Sequence, residues 1–196
     1  FDLGYMRLFP NMTVLAPADE YDLKSMVAWA LKQDGPVAIR SPKAVLETEL
    51  SNRFGENRLP ISTRQCEQLI DGPDGLIIGC GSLVGSCLAA VEELQKEGLR
   101  VGLINARFIK PLDKETLLKR IKMSPWVVSV EENMLQAGFG SAILEAIHDA
   151  AIDTGPIRRL GSPDRFIEHG DRGDLLSSLT LDASGIAEVC RELSGH

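Results

Sequence analysis

From residue 66 onward the chain alternates short, almost wholly apolar runs with segments of helical period, and this alternation most narrows the folds open to it. Residues 75–80, 100–104, 126–130 and 156–160 have strand length, and helix-period segments separate them. The run 126–130 is apolar except at Ser129, the pattern of a strand covered on both faces. Ser82 is placed to cap a helix that buries Val84, Leu88 and Val91 and stops at Gly98. Asp113 is placed to cap a helix carrying Leu117, Leu118 and Ile121, and residues 141–152 put Ile143, Ala146, Ile147 and Ala150 on one face. Residues 174–179 and 183–193 read as closing helices, and 68–70 as an edge strand. Strands joined through helices require right-handed crossovers. The expected domain over 66–196 is therefore a three-layer α/β/α structure with a mostly parallel sheet of about five strands.

The first 43 residues read as a β-α-β unit. Residues 12–16 form a short apolar strand, and Asp19 caps a helix with Leu23, Met26, Val27, Ala30 and Leu31 on one stripe. Gly35-Pro36 stops it, and 36–40 is the next strand. Three elements cannot bury both faces of a sheet, so this unit is expected to need partners that are missing from this chain or are supplied by another chain. Residues 44–65 have no period and read as a linker with little structure of its own. The chain opens on Phe1 rather than Met, as expected of a piece of a longer protein.

Composition excludes several functions. A net charge of −7 gives no electrostatic footprint for nucleic acid. The longest uncharged run, 75–91, is shorter than the roughly 20 residues of a membrane span and is broken by glycines. The four cysteines form no C-x-x-C and have no histidine at ligand spacing, so no metal site is expected; they read as reduced, buried thiols in a cytoplasm.

Four features could carry chemistry. The turns Gly79-Cys80-Gly81-Ser82 and Gly138-Phe139-Gly140-Ser141 could hold phosphate at a helix start. They fail as dinucleotide fingerprints: Val84 and Ile143 stand where the third glycine belongs, and Asn105-Ala106-Arg107 where an acidic residue would follow the first turn. Simple tight turns are the preferred reading. Glu131-Glu132-Asn133 ends a strand, where ligands of open parallel sheets bind, yet without a basic or metal-like companion the carboxylates are better read as helix caps or subunit contacts. Of the three histidines, His148 falls off its helix's apolar stripe, His196 is terminal and His169 stands in a loop without a nucleophile, so structural roles are expected. Arg40-Ser41-Pro42-Lys43 puts two cations at the carboxyl end of a strand, where an anionic substrate could bind.

Several spaced motifs are together more specific. Phe1-Asp2-Leu3-Gly4-Tyr5-Met6-Arg7-Leu8-Phe9-Pro10-Asn11-Met12, Ala16-Pro17-Ala18-Asp19-Glu20, Asp34-Gly35-Pro36-Val37-Ala38-Ile39-Arg40, Arg107-Phe108-Ile109-Lys110-Pro111-Leu112-Asp113, Glu131-Glu132-Asn133 with Gly138-x-Gly140-Ser141, and Pro163-Asp164-Arg165-Phe166-Ile167-Glu168-His169-Gly170 keep order and spacing along the chain. They resemble the 1-deoxy-D-xylulose-5-phosphate synthase family of the transketolase superfamily. The resemblance implies a thiamine-diphosphate and Mg2+ enzyme that joins pyruvate, decarboxylated on the cofactor, to D-glyceraldehyde 3-phosphate for isoprenoid and thiamine precursor supply. It further implies that 1–43 is a remnant of the pyrimidine-binding domain and 66–196 the carboxy-terminal domain, which supports a cytoplasmic homodimer. The family's diphosphate site, activating glutamate and catalytic histidine lie upstream, so no catalytic, cofactor or metal residue is expected in this chain, which alone should bind no cofactor and turn over nothing. The family's Y-P-R-G arginine, placed at the substrate phosphate, corresponds to Lys43 in Ser41-Pro42-Lys43-Ala44; Lys43, and behind it Arg40, are the implied phosphate contacts. Lysine keeps the charge and loses the planar two-pronged geometry, and Ala44 restricts the backbone where the family has glycine. The last domain is shared with transketolases and the beta subunits of 2-oxo-acid dehydrogenases, so these remain alternatives, as does a stand-alone dimerisation module.

Overall fold

A computed structural model describes residues 1–43, 49–55 and 58–195. Its larger sheet has five strands in the order β3-β5-β4-β7-β8: β3 (Glu67–Ile70), β4 (Gly75–Gly79), β5 (Val101–Asn105), β7 (Val127–Met134) and β8 (Ile157–Ser162). All neighbours are parallel except β3, which runs antiparallel to β5 at the edge. The helices α4 (Leu83–Lys96) and α8 (Ala183–Ser194) cover one face, and α5 (Lys114–Met123) and α6 (Phe139–Asp149) the other. The strands show why: Ile77, Leu103, Val128 and Val130 join the core under α4 and α8, while Leu76, Ile78, Ile104 and Val127 join the core under α5 and α6. Successive side chains point to opposite faces, so strands buried on both sides carry apolar residues without interruption. The expected three-layer fold with a mostly parallel five-stranded sheet is present, and the expected edge strand is β3.

Close packing explains two glycines. A Cβ at Gly75 would stand 2.1 Å from the Trp126 ring, so only glycine lets that indole lie across the start of β4. Gly98, at φ +91°, takes the left-handed conformation that ends α4.

The first segment contains α1 (Asp2–Met6), which periodicity did not announce, then β1 (Thr13–Leu15), α2 (Glu20–Ala30) and β2 (Val37–Ile39). β1 and β2 are parallel. The third strand of their sheet, β6 (Phe108–Lys110), comes from beyond residue 66 and pairs antiparallel with β1. The expectation that the β-α-β unit must find its partners outside this chain is thus corrected: β6 of the chain itself completes its sheet. Val14 and Ala16 point into the core under α5 and α6, whereas Leu15 faces Met26, Ile61 and Phe108.

Four further readings are corrected. The buried face of α2 is Asp22 and Met26, with Trp29 half-buried; Val27 and Leu31 of the anticipated stripe are exposed, because the small sheet meets α2 along a different line. The stretch read as a linker holds α3 (Glu49–Phe54) and a 3-10 turn (Ile61–Thr63), and its Leu50 is wholly buried in the core shared by α4, α8 and the large sheet. Ser82 stands at the start of α4 without a capping bond; its hydroxyl goes elsewhere. Ala150 lies outside the buried face of α6, which begins two residues early at Phe139. Residues 44–48, 56–57 and 196, including Ala44 and His196, lie outside the described residues. The remaining helix, α7 (Arg172–Ser178), starts at Asp171, whose carboxylate accepts from the Gly173 N–H.

Candidate functional site

The carboxyl ends of β2, β4 and β7 open on one mouth. β4 ends at Gly79, paired with Val130, while β7 continues to Met134. Glu131 and Glu132 therefore project past the end of β4, to opposite faces. Beyond β4, Gly81 turns at φ +64°, and a Cβ there would meet Ala16 at 3.6 Å, so the end of β1 abuts this turn. β2 brings Arg40 to the same mouth, its N–H donating to Leu15 O at 2.8 Å.

Glu132 is the hub. Its Oε2 accepts from Ser82 Oγ at 3.0 Å and from Arg172 Nη2 at 2.7 Å, and lies 3.8 Å from Arg40 Nη1. Arg172 Nε donates to Glu132 Oε1 at 3.3 Å, and its Nη2 also reaches Ser82 Oγ at 3.1 Å. On its other side, Arg40 Nε meets Asp2 Oδ2 at 3.4 Å. Two carboxylates thus face two guanidiniums, and the cluster is close to neutral. Lys43, three residues beyond Arg40, is exposed, and among the described residues none forms an ion pair with it.

Glu131 has a structural task. Its carboxylate is buried and accepts from the N–H groups of Phe139 and Gly140 at 2.6 and 2.8 Å, closing the start of α6. Burial raises its pKa above the ordinary carboxylate value, although those N–H groups and Arg159 oppose the rise. A Cβ at Gly138 would lie 2.2 Å from Glu131 Oε2, so glycine there makes room for the carboxylate. The helix-cap reading of this residue holds. The other glycine turn is tight as expected. His148 and His169 are both exposed, and all four cysteines are free and buried. Among the described residues, no group of three or more His, Cys, Asp or Glu side chains could hold a metal ion. No helix of the described residues is long and apolar enough to cross a membrane.

A second polar cluster, not anticipated, lies deep between the first segment and the larger sheet. Arg58 donates to Asp19 at 2.5 Å, to Asp22 at 3.3 Å and to Glu67 at 2.6 Å. Arg107 Nη2 lies 2.9 Å from both Asp22 and Glu67, and Asn105 Nδ2 donates to Asp22 at 2.8 Å. Burial raises the pKa of Asp22, while Arg107 and then Arg58 pull it back down. Asp19 was read only as a helix cap, which it also is. Charged residues scattered over positions 19, 22, 58, 67 and 107 carry no sequence signal of meeting.

The chain matches two family models: "Transketolase, C-terminal domain" over residues 64–186 and "Transketolase, pyrimidine binding domain" over residues 1–48. Among curated proteins it is 43% identical to the 1-deoxy-D-xylulose-5-phosphate synthase of Rhodopirellula baltica over 100% of this chain and 30% of that protein. It is 42% identical to 1-deoxy-D-xylulose-5-phosphate synthase 1 of Geobacter sulfurreducens, over 95% of this chain and 29% of that protein. The chain thus spans less than a third of the length of these relatives. Among solved structures it resembles a split-gene transketolase described as an inactive beta4 tetramer, with TM-score 0.83 and 27% identity over 99% of this chain and 61% of that one. It also resembles a transketolase from Pichia stipitis, with TM-score 0.71 and 18% identity over 98% of this chain and 26% of that one.

Proposed function

The chain belongs to the transketolase family through its carboxy-terminal domain, and on that premise we propose that it is the carboxy-terminal part of a thiamine-diphosphate-dependent 1-deoxy-D-xylulose-5-phosphate synthase. The observation that carries this reading is the 43% identity to a protein of that name, sustained over the whole of this chain. The proposed reaction of the intact enzyme converts pyruvate and D-glyceraldehyde 3-phosphate to 1-deoxy-D-xylulose 5-phosphate and CO2. Identity favours the synthase over a transketolase: the synthases stand at 37–43%, the transketolase structures at 17–27%.

When bound, the cofactor supplies the carbanion equivalent from pyruvate. The family places its diphosphate, Mg2+ and activating glutamate upstream of the positions matched here, and the residues of this chain act on the acceptor. Taken alone, the chain is proposed to turn over nothing; in the intact protein it supports domain assembly and a cytoplasmic homodimer.

Lys43 is proposed to bind the acceptor phosphate. Its exposure, its place beyond the end of β2 and its lack of a carboxylate partner among the described residues leave its charge available to an anion. Arg40 matches that role less well, since Asp2 and Glu132 already share its guanidinium. Phosphate lies away from the bond being made, so its binding energy serves to hold the aldehyde in place. Lys43→Ala in the intact enzyme should raise KM for D-glyceraldehyde 3-phosphate by about tenfold, the loss of one charge-assisted contact of ~1.4 kcal/mol. An unchanged KM would remove Lys43 from the site.

A further inference from the structure

Glu132 has no place in the reading so far, yet two hydrogen-bond donors converge on one of its oxygens and a second guanidinium stands 3.8 Å from it. Ser82 occupies the capping position of a 14-residue helix and leaves its capping bond unmade, spending its hydroxyl on Glu132 instead. Arg172 reaches Glu132 from the start of α7 with both Nε and Nη2. That second guanidinium, Arg40, follows the strand that leads to Lys43. Its main chain is tied to β1 by the bond to Leu15, and its guanidinium is braced by Asp2 at 3.4 Å and Glu132 at 3.8 Å.

Lys43 itself has a long flexible stem, and among the described residues nothing holds its ammonium. Where that ammonium can reach is decided by where β2 ends, and only Ser41 and Pro42 separate that anchored end from Lys43; Pro42 fixes its own φ and restricts Ser41. The cluster is near neutral, with Asp2 and Glu132 facing Arg40 and Arg172, so its effect on a phosphate is through position and not through added charge. We propose that Glu132 is a positioning residue: held by Ser82 and Arg172 and acting through Arg40, it sets the end of β2 so that Lys43 meets the acceptor phosphate. The inference rests on the assignment of Lys43 to that phosphate.

Glu132→Asp in the intact enzyme keeps the charge and withdraws the carboxylate by one methylene, so it can no longer span both arginines. KM for D-glyceraldehyde 3-phosphate should rise about 3- to 10-fold, while kcat and KM for unphosphorylated D-glyceraldehyde stay near those of the parent. Ser82→Ala, which deletes one donor without changing charge, should shift the same constant in the same direction by a smaller factor, and it serves as the test if Glu132→Asp does not fold. Adding Glu132→Asp to Lys43→Ala should produce no further rise, because the effect runs through Lys43. An unchanged or lower KM for the phosphorylated acceptor in Glu132→Asp, or equal weakening of both acceptors, overturns the proposal. If Lys43→Ala raises KM while Glu132→Asp is silent, only the positioning role is lost; if Lys43→Ala is itself silent, the phosphate assignment fails and this inference with it.

Discussion

Arg58 shows how far a single side chain can be committed to the fold. Its side chain is 1% exposed and pairs with Asp19, Asp22 and Glu67, while Arg107 supplies the other positive charge. Three carboxylates against two guanidiniums leave an excess negative charge if all are ionised. That fits the raised pKa of Asp22, which burial drives first of all. Arg58→Met would leave the three acids facing Arg107 alone in a buried space. Removing one partner from such a cluster costs roughly 3–5 kcal/mol. Urea unfolding near neutral pH should show that loss. The deficit should shrink as the pH falls, because protonation of Asp22 relieves the uncompensated charge; a deficit that grows on acidification would contradict this account. None of the network was legible in the sequence, since a lone arginine in an aperiodic stretch looks like solvated surface until its partners are placed around it. The same holds for Glu132, whose companions Ser82, Arg172 and Arg40 lie 50, 40 and 92 residues from it along the chain.

At the scale of elements, reading worked where the cause is local. Periodicity located α4, α5, α6 and α8, and burial on both faces located β4, β5 and β7, because a helix or strand declares its period within a dozen residues. The caps at Asp19 and Asp113 were also local and are present. The misses are non-local. β6 is three residues long and exists because β1 lies beside it, and the face that α2 buries is chosen by the small sheet. Asp113 gives an element-scale prediction. Its carboxylate accepts from Thr116 N–H at 3.1 Å, capping α5, and from Cys66 N–H at 3.0 Å, tying the approach to β3 to that helix. Burial alone would raise its pKa, but the bonds from Thr116 and Cys66 outweigh it and hold the carboxyl below its usual 3.8. The neighbouring Cys66 thiol is pushed up to about 12, by burial first and then by the Asp113 charge. A carboxyl depressed in the fold stabilises above its unfolded pKa, and that contribution is lost as pH falls through the folded value. Asp113→Ala should therefore cost about 1–2 kcal/mol at pH 7, the usual worth of such a cap. Its denaturation midpoint should converge on that of the parent at pH values below the usual carboxylate range. A difference that persists undiminished in acid would assign the loss to packing.

For the whole molecule, the question is whether the small sheet and the large one melt together. A two- or three-stranded sheet has little stability without a packed face. β6 lies in the small sheet, yet the chain enters it directly from Arg107 of the buried ion cluster and leaves it toward α5. Val14, Ala16 and Ile109 complete the core under α5 and α6, and Leu50 that under α4, so neither part can detach without opening an apolar surface of the other. Each buried aliphatic side chain of this kind is worth roughly 1.5–3 kcal/mol. The only two tryptophans divide conveniently between the parts: Trp29 on α2 packs edge-on to Phe108 at 5.7 Å, and Trp126 is buried at the base of the large sheet. Trp126→Phe leaves a fluorophore reporting the small sheet, and Trp29→Phe one reporting the large. Each single-tryptophan protein should give the same urea midpoint by fluorescence as by far-ultraviolet circular dichroism, and correcting for any shift the substitution itself causes, the two reporters should coincide. If Trp29 changes at a clearly lower urea concentration than the secondary structure as a whole, the first segment is a separately melting unit. β6 and the Arg58 cluster would then join two units that open independently, and Lys43 would be delivered to its mouth by a segment the large sheet does not hold in place.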